Sequence, residues 1–343
     1  MLKVLSQKIK SAQNIILSTH RQCDGDGLGS ELALYHALKK MQKNVRIINV
    51  DATAKKYHFL EVGRYIEVYE HQKEQQIRKI EKTDLVLIFD TNDSRLLEPL
   101  YSEFKAQAEM ILFIDHHPLL LQGPQPTSGS FINTLAASTG EITYELIKTL
   151  GVEMDTQIAR ALYTSIAFDT QLFRFMRNSS HSHLIAAELL KYNIQVEDIH
   201  LKLFGNYTVQ KMKFLAHALN QIEYFSEGRL AILKLQAKDL SQFSIDNDES
   251  NDVIDLLMNI ESLHAAALLR EEGYQKFKLS LRSKGHFDVL NIAESFGGGG
   301  HLFSSGAYLT GAYEDIKPAL VKALVQAVDG VQSLQRNKKN ESA

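Results

Sequence analysis

The fold is decided by residues 15–28, which read IILSTHRQCDGDGL. The run from Ile15 to Thr19 has the length and apolar character of a buried strand. A short polar loop follows, and Leu28 then begins a stripe of apolar residues at helical spacing. A buried strand that leads directly into an amphipathic helix is typical of a parallel sheet covered by helices.

This pattern recurs through the first half of the chain and then changes. Apolar runs of strand length also lie at Val45 to Val50, Leu85 to Phe89 and Met110 to Ile114. The periodicity is helical from about residue 136 to 219, and strands are again predicted at 229–236 and 276–283. We therefore predict a bilobal α/β fold with an N-terminal, mostly parallel sheet flanked by helices, a helical linker and a smaller C-terminal α/β domain. The predicted bounds are 1–190 for the first domain, 191–225 for the linker, 226–335 for the second domain and 336–343 for a tail.

Composition narrows the class of protein. The 343 residues include 38 Lys and Arg against 41 Asp and Glu, a formal charge of -3, which disfavours a long nucleic-acid duplex as a partner. One cysteine cannot form an intrachain disulfide, and the chain shows neither the apolar core of a signal peptide nor 18 consecutive apolar residues. These features predict a soluble, cytoplasmic protein without a membrane partner.

Side chains of metal-ligand type follow three of the predicted strands. They are His20, Asp24 and Asp26 after the first, Asp90 after the third, and Asp115, His116 and His117 after the fourth. Ligands bind outside the carboxyl ends of strands in open parallel sheets, so these residues are expected in one crevice. Asp169 lies on the apolar stripe of its helix, where a carboxylate is costly unless a cation receives it.

The number of acidic groups indicates two metal ions. His20, Asp24, Asp26, Asp90, His116 and Asp169 together offer four carboxylates and two imidazoles, more negative charge than one divalent ion needs. Mixed ligation of this kind favours manganese, iron or zinc over magnesium, and manganese is the first choice.

Five of these residues, taken alone, also fit a structural role, whereas the pair His116-His117 is harder to explain in that way. Asp24 and Asp26 precede a helix and could cap it, and Asp90 could form an Asx-turn. His20 could be a buried structural histidine, and Asp169 could lie at a solvated helix end. Their joint occurrence at the ends of the right elements favours the metal site.

These residues resemble a known family. The spacing His20-x-x-x-Asp24-x-Asp26, then Asp90 after an apolar strand, Asp115-His116-His117 and finally Asp169 resemble the four motifs of the DHH phosphoesterase superfamily. Farther on, Leu281-Arg282-Ser283, Asn291, the glycines 297–300 with His301, and Ser304-Ser305-Gly306 resemble the DHH-associated C-terminal domain of the nanoRNase/pAp phosphatase subfamily. The similarity covers essentially residues 10 to 330.

The resemblance implies that the first domain holds two metal ions and that the second closes over the substrate. In such enzymes, the metal ligands are the counterparts of His20, Asp24, Asp26, Asp90, His116 and Asp169, with Asp90 as the bridge. The substrate-binding residues that it implies are Arg282, Ser283, Asn291 and His301. A guanidinium at Arg282 suits a phosphate, and the backbone of Gly299 and Gly300 can approach an anion closely.

The expected reaction is metal-assisted hydrolysis of short 5'-phosphorylated oligoribonucleotides, such as pApA or pGpG, to mononucleotides, with pAp as a further substrate. His117 and Asp115 are the candidate catalytic pair: His117 would orient the phosphate or protonate the leaving oxygen, or would only hydrogen-bond Asp115. The implied partners are short single-stranded RNA or dinucleotides, and a homodimer is compatible with the resemblance.

Two other functions stay open. One is direct cleavage of cyclic dinucleotides, and the other is a nucleotide-sensing module without turnover. The chain also departs from the family pattern at Cys23, where proline is frequent, and at Gln171, where glycine is common. Altered loop detail is expected from these departures, because no ligand-type residue is missing.

Overall fold

The computed structural model describes residues 2–71, 73–120, 123–177, 179–205, 207–247, 249–284 and 287–341, without the side chains of His301 and residues 329–341. The chain forms two compact units, Met1–Asn206 and Tyr207–Ala343. None of the helices in the described part of the chain has the length and apolar character that a membrane crossing requires. The domain and linker bounds given above stay predictions.

The first unit is built on a six-stranded parallel sheet. Its strands are β1 (Asn14–Thr19), β2 (Asn44–Asn49), β3 (Ile66–Val68), β4 (Leu85–Phe89), β5 (Ile111–Asp115) and β6 (Phe131–Ile132), in the order β3-β2-β1-β4-β5-β6. Its helices are α1 (Leu2–Ser11), α2 (Gly25–Lys40), α3 (Val62–Tyr65), α4 (Lys73–Ile80), α5 (Leu100–Gln107), α6 (Thr139–Leu150), α7 (Thr156–Asp169), α8 (His181–Leu189) and α9 (Val196–Phe204). The predicted parallel sheet flanked by helices is confirmed.

The central strands are apolar on both faces because helices cover both sides of the sheet. Leu17 of β1 belongs to a core cluster that includes residues of α2, α6 and α7. Its neighbour Ile16 points the other way, into a cluster with residues of α4 and α5. Parallel pairing of β1 with β2 and β4 fixes the register, with Leu17 opposite Ile47 and Leu87. The carboxyl ends of β1, β4 and β5 therefore lie side by side.

Helix α2 begins earlier than the sequence predicts. The apolar stripe indicated a start after Gly27, which is wrong, since the helix begins at Gly25. Asp24 is the N-cap, and its carboxylate accepts a hydrogen bond from the backbone N–H of Asp26 at 2.9 Å. As a result Asp26 lies in the first turn of the helix and is buried.

Glycine lets α2 and α7 approach closely. A Cβ atom on Gly29 would lie 2.4 Å from the carbonyl oxygen of Ala161 and 2.8 Å from the backbone nitrogen of Ser165. Both neighbours are backbone atoms of α7, which cannot rotate away. The position of α7, and of Asp169 at its end, therefore depends on this glycine.

Substituting Gly29→Ala is expected to destabilise the protein by about 2 to 3 kcal/mol, because the added methyl group overpacks the contact between two helices. The matched control is Gly63→Ala in α3, where an added Cβ has no atom within 4 Å. Alanine there should be neutral or slightly stabilising. Urea unfolding of both variants measures the difference, and equal stabilities would contradict the proposed close approach.

Helix α2 also buries a carboxyl group. Glu31 is fully buried, and its Oε1 accepts a hydrogen bond from Asn49 Nδ2 at 2.8 Å. Its other oxygen, Oε2, has no hydrogen-bond partner among the described residues. Burial raises the pKa of Glu31 from its ordinary value of 4.5 to about 8.

The free energy of unfolding should therefore fall as the pH rises from 4.5 to 8, because the folded protein keeps a proton on Glu31 that the unfolded chain releases. The loss amounts to roughly 3 kcal/mol at pH 7. Glu31→Gln should remove this contribution, so its advantage over the native chain grows from near zero at pH 4.5 to its full value at pH 8. Urea unfolding across that range measures it, with exposed Glu153→Gln as the control. An advantage of Glu31→Gln that does not change with pH would contradict the assignment.

The second unit contains a mixed six-stranded sheet. Its strands are β7 (Glu223–Phe225), β8 (Leu230–Leu235), β9 (Ala265–Gly273), β10 (Lys276–Ser283), β11 (Gly299–His301) and β12 (Ser304–Thr310), in the order β11-β12-β10-β9-β8-β7. Only β8 and β9 pair in parallel among these described strands. The helices are α10 (Val209–Leu219), α11 (Ala237–Phe243), α12 (Asp252–Leu257), α13 (Leu290–Ser295) and α14 (Tyr313–Glu341). The α/β character expected of the C-terminal part is confirmed.

Candidate metal centre

Six side chains predicted as metal ligands come together at the carboxyl edge of the first sheet. β1 leads to His20, β4 to Asp90 and β5 to His116. The first turn of α2 and its N-cap contribute Asp26 and Asp24, and the last residue of α7 is Asp169. The edge lies where the strand order reverses around β1, which is where open α/β sheets bind ligands.

The distances among these side chains define overlapping groups. His116 Nε2 lies 3.5 Å from Asp26 Oδ2, 3.7 Å from Asp90 Oδ1 and 3.5 Å from Asp169 Oδ2. His20 Nε2 lies 3.6 Å from Asp90 Oδ2. Three groups have potential ligand atoms that lie within 4.8 Å of one another. They are His20 with Asp24 and Asp90, Asp26 with His116 and Asp169, and Asp90 with His116 and His117.

Asp90 occupies the middle of the cluster. One of its carboxylate oxygens faces His20 and the other faces His116. Its backbone is left-handed, with φ of 61°, a conformation that costs energy for a residue other than glycine. The backbone N–H of Asp90 donates to the carbonyl of Ile114 at 3.0 Å, which ties this turn to β5. Asp90 therefore lies between the two histidines, with one carboxylate oxygen toward each.

His20 and His116 are each held by the ring nitrogen that faces away from the carboxylates. Nδ1 of His20 lies 2.8 Å from the carbonyl of Arg21, and Nδ1 of His116 lies 3.2 Å from the carbonyl of Ala136. A carbonyl oxygen only accepts, so each Nδ1 carries a hydrogen, and Nε2 is the nitrogen through which each ring could bind a cation. This arrangement is the usual one for histidines that bind a metal through Nε2.

The electrostatics of the cluster favour a cation. Burial raises the pKa of Asp26 to about 6, and burial together with the nearby Asp26 carboxylate raises those of Asp90 and Asp169. Burial also lowers the pKa of His116 to about 3, so that this imidazole is neutral. The negatively charged carboxylates in this cluster repel one another, and divalent cations would relieve that repulsion. The donor set therefore fits a metal site.

Three further residues donate hydrogen bonds to Asp26 or Asp90 and were not predicted from the sequence. The backbone N–H groups of Thr139 and Gly140 donate to the two oxygens of Asp26 at 2.8 and 3.1 Å, and Ser165 Oγ donates to it as well. Thr139 Oγ1 also donates to Asp90 Oδ1 at 3.1 Å. Thr139 and Gly140 lie in the first turn of α6, where backbone N–H groups suit an anion, and Ser165 lies on α7. The only local signal was Ser138-Thr-Gly-Glu141, a helix-start pattern that identifies no partner.

Asp115 and His117, predicted as the catalytic pair, hydrogen-bond each other. Asp115 Oδ1 lies 2.7 Å from His117 Nδ1, and Asp115 Oδ2 accepts from Asn92 Nδ2 at 2.7 Å. Burial opposes ionisation of both groups, yet their mutual attraction lowers the pKa of Asp115 and raises that of His117. Asp115 therefore orients His117, and the ring's opposite nitrogen, Nε2, points away from Asp115.

Gln171, one of the two departures from the family pattern, lies in a loop with left-handed backbone conformation after Asp169. Gln171, Leu172 and Phe173 all have positive φ, between 47° and 65°. Glycine adopts this backbone at little cost, which is why it suits the position that glutamine occupies here. Thr170 stabilises the turn, since its Oγ1 accepts from the backbone N–H of Phe173 at 3.0 Å. At the other departure, burial raises the pKa of the Cys23 thiol, which disfavours a reactive thiolate.

The substrate-binding residues predicted in the second unit lie on β10, α13 and β11. Arg282 Nε donates to Asp255 at 2.8 Å, Ser283 Oγ donates to the carbonyl of Phe287, and Asn291 Nδ2 donates to Asp288 at 2.8 Å. These contacts fix the side chains within the unit. Their assignment to substrate stays a prediction.

The glycines before His301 are required by the fold of β11. Gly300 has φ of 134°, and a Cβ there would lie 2.7 Å from the carbonyl oxygen of Ser304. Gly299 pairs with Gly306 across the strands β11 and β12. The side chain of His301 lies outside the described residues.

Fold and cluster together define a parallel α/β domain with a group of carboxylates and histidines that could hold metal ions. A model of the DHH family, N-terminal domain, matches residues 14–166, and a model of the DHHA1 domain matches residues 227–330. The chain therefore carries a DHH-family N-terminal domain followed by a DHHA1 domain. The resemblance inferred from its motifs is confirmed.

Similarity to known proteins extends over nearly the whole chain. The chain is 27% identical to the bifunctional oligoribonuclease and PAP phosphatase NrnA of Thermus thermophilus, with 95% of each chain covered. An exopolyphosphatase-related protein from Bacteroides fragilis has the same fold, with a TM-score of 0.85, 25% identity and 98% and 97% of the two chains covered. The exonuclease RecJ bound to manganese shares the fold at a TM-score of 0.52 and 16% identity, over 95% and 94% of the chains.

Proposed function

We propose that the protein is a metal-dependent phosphoesterase that hydrolyses short 5'-phosphorylated oligoribonucleotides, including dinucleotides such as pApA and pGpG, to mononucleotides. The observation that carries this proposal is the placement of Asp90 between His20 and His116, each within 3.7 Å of one of its oxygens. The similarity to a relative named as an oligoribonuclease and PAP phosphatase supports this substrate class, and pAp is included for the same reason.

The proposed cofactor is a pair of divalent ions, with Mn²⁺ as the first choice. His20, Asp24 and Asp90 would hold one ion, and Asp26, His116 and Asp169 the other, with Asp90 shared. Imidazole nitrogen beside carboxylate oxygen suits manganese better than magnesium. Such ions, when bound, supply Lewis acidity and lower the pKa of a coordinated water.

The chain itself supplies proton transfer and substrate contacts. His117 is oriented by Asp115, and its raised pKa suits a group that donates a proton to the leaving oxygen or holds a phosphate oxygen. Arg282, Ser283, Asn291, Gly299, Gly300 and His301 are the proposed contacts to the rest of the substrate. The formal charge of -3 supports short oligonucleotides rather than long duplex DNA.

A substrate panel tests the proposal. Metal-free protein is supplied with Mn²⁺ and incubated with pApA, pGpG, a five-residue RNA, pAp, cyclic dinucleotides and pyrophosphate, and products are resolved by ion-exchange chromatography. Conversion of the linear dinucleotides to mononucleotides is the expected result. Preferred cleavage of cyclic dinucleotides would replace the proposed substrate, and bound Mn²⁺ without turnover of any member would favour a nucleotide-sensing module.

A further inference from the structure

A buried chain of hydrogen bonds lies directly behind the metal centre. The backbone N–H of Thr19 donates to Asn49 Oδ1 at 3.2 Å, and Asn49 Nδ2 donates to Glu31 Oε1 at 2.8 Å. The hydroxyl of Thr19 donates to the carbonyl of Phe89 at 3.0 Å. Thr19, Asn49 and Glu31 have no measurable solvent exposure.

The amide of Asn49 fills a gap in the sheet. β1 pairs with β2 only as far as Leu17 and Ile47, whereas it pairs with β4 as far as Thr19. The backbone carbonyl of Asn49 faces the other side of β2, where it accepts from the backbone N–H of Tyr69. Because the pairing of β1 with β2 has ended before Thr19, the side chain of Asn49 supplies the acceptor for the backbone N–H of Thr19.

The chain of hydrogen bonds joins three elements that carry proposed ligands. Thr19 immediately precedes His20, and Phe89 immediately precedes Asp90. Glu31 belongs to α2, five residues after Asp26 and on the same helix. Movement of α2 relative to β1 or β4 would therefore strain this network before it changed the spacing of the ligands.

Burying the carboxyl group of Glu31 costs more free energy than a purely structural role requires. One carboxyl oxygen has a single donor, and the other is buried without a hydrogen-bond partner among the described residues. An apolar side chain of similar size would avoid that desolvation cost. Natural proteins tolerate such costs mainly where a function requires the group.

We infer that Glu31 and Asn49 are positioning residues of the metal centre, holding α2 against the ends of β1 and β4 so that Asp26, His20 and Asp90 keep the spacing that a divalent cation needs. This inference rests on the metal centre of the proposed function but not on its substrate. Glu31 acts through the hydrogen bond that it accepts from Asn49, so a glutamine, which also accepts there, should replace it. Positioning groups behind metal ligands commonly change metal affinity by 10- to 100-fold.

The test compares Mn²⁺ binding to the full-length, metal-free protein by isothermal titration calorimetry. Glu31→Leu should weaken Mn²⁺ binding by about 10- to 100-fold, whereas Glu31→Gln should bind within about threefold of the native chain. The matched control is Gln76→Leu, which removes a buried amide from α4, a helix without proposed ligands. This control should leave Mn²⁺ affinity unchanged. Circular dichroism and urea unfolding show whether each variant is folded, and Glu31→Met replaces Glu31→Leu if the latter is not.

The inference is overturned if a folded Glu31→Leu or Glu31→Met variant binds Mn²⁺ with native affinity. It is equally overturned if Glu31→Gln loses as much affinity as the apolar variants, or if Gln76→Leu weakens binding as strongly as they do. The readout uses Mn²⁺ alone. Absence of nucleotide turnover with metal bound would therefore contradict the proposed function and leave this inference intact.

Discussion

Asp90→Asn is expected to lower turnover of a 5'-phosphorylated dinucleotide by at least about 10³-fold, since an interaction worth several kcal/mol would be lost. The two carboxylate oxygens of Asp90 lie 3.6 Å from His20 Nε2 and 3.7 Å from His116 Nε2. Asparagine keeps the shape of the side chain but removes its charge. One oxygen becomes an NH₂ group that cannot bind a cation, so Asp90 can no longer serve both proposed metal positions.

Steady-state hydrolysis of pApA in saturating Mn²⁺ measures the effect, together with the metal content of the variant. Asp93→Asn is the matched control, because Asp93 lies three residues later and pairs with Arg95 instead of a proposed ligand. The control should keep native turnover. An Asp90→Asn variant with native turnover would exclude Asp90 as a shared ligand.

His117→Ala is expected to reduce kcat by about 10²- to 10⁴-fold, the range found when a general acid or base is removed. The six proposed ligands remain in this variant, so Mn²⁺ content should stay native. Asp115 loses the partner of its 2.7 Å hydrogen bond but keeps the donor Asn92. A fall in kcat without loss of metal would assign His117 to the chemistry of the reaction.

The control for this variant is His181→Ala, since His181 is half exposed on α8 and lies near Glu145 instead of the cluster. It should leave kcat unchanged. Full turnover by His117→Ala with native Mn²⁺ content would show that His117 only hydrogen-bonds Asp115. Loss of metal together with turnover would instead make His117 a ligand.

Much of the first sheet is predictable from local sequence because its central strands are buried on both faces. β1, β2, β4 and β5 therefore appear as apolar runs bounded by polar residues. The short edge strands β3 and β6 have three and two residues, too few for a periodic pattern. β9 begins with three alanines, which lack the branched side chains that indicate a strand.

For the candidate site, the convergence of the residues could be predicted from the sequence, whereas some individual roles could not. Parallel strands bring His20, Asp90 and His116 to one edge wherever they lie in the sequence, so the rule for open sheets was sufficient to predict their convergence. Asp169 fits a solvated helix end when taken alone, yet its side chain is 27% exposed and reaches His116. Asp24 caps α2 and also belongs to a potential metal group, so its two interpretations are compatible.

Contacts that depend on tertiary packing could not be predicted. The donation from Thr139 to Asp26 spans 113 residues of sequence, and the hydrogen bond from Asn49 to Glu31 spans 18. Thr139, Asn49 and Glu31 have no residue type or spacing that identifies a metal centre. Only the packing of α6 and α2 against the sheet reveals what these residues contact.

The most direct test of the account is a titration of metal-free protein with Mn²⁺ in which the rate of pApA hydrolysis to AMP is measured at each addition. We expect no turnover without metal and a rate that rises until about two equivalents of Mn²⁺ are bound per chain. Hydrolysis by the metal-free protein, or no hydrolysis with two equivalents bound, would contradict it.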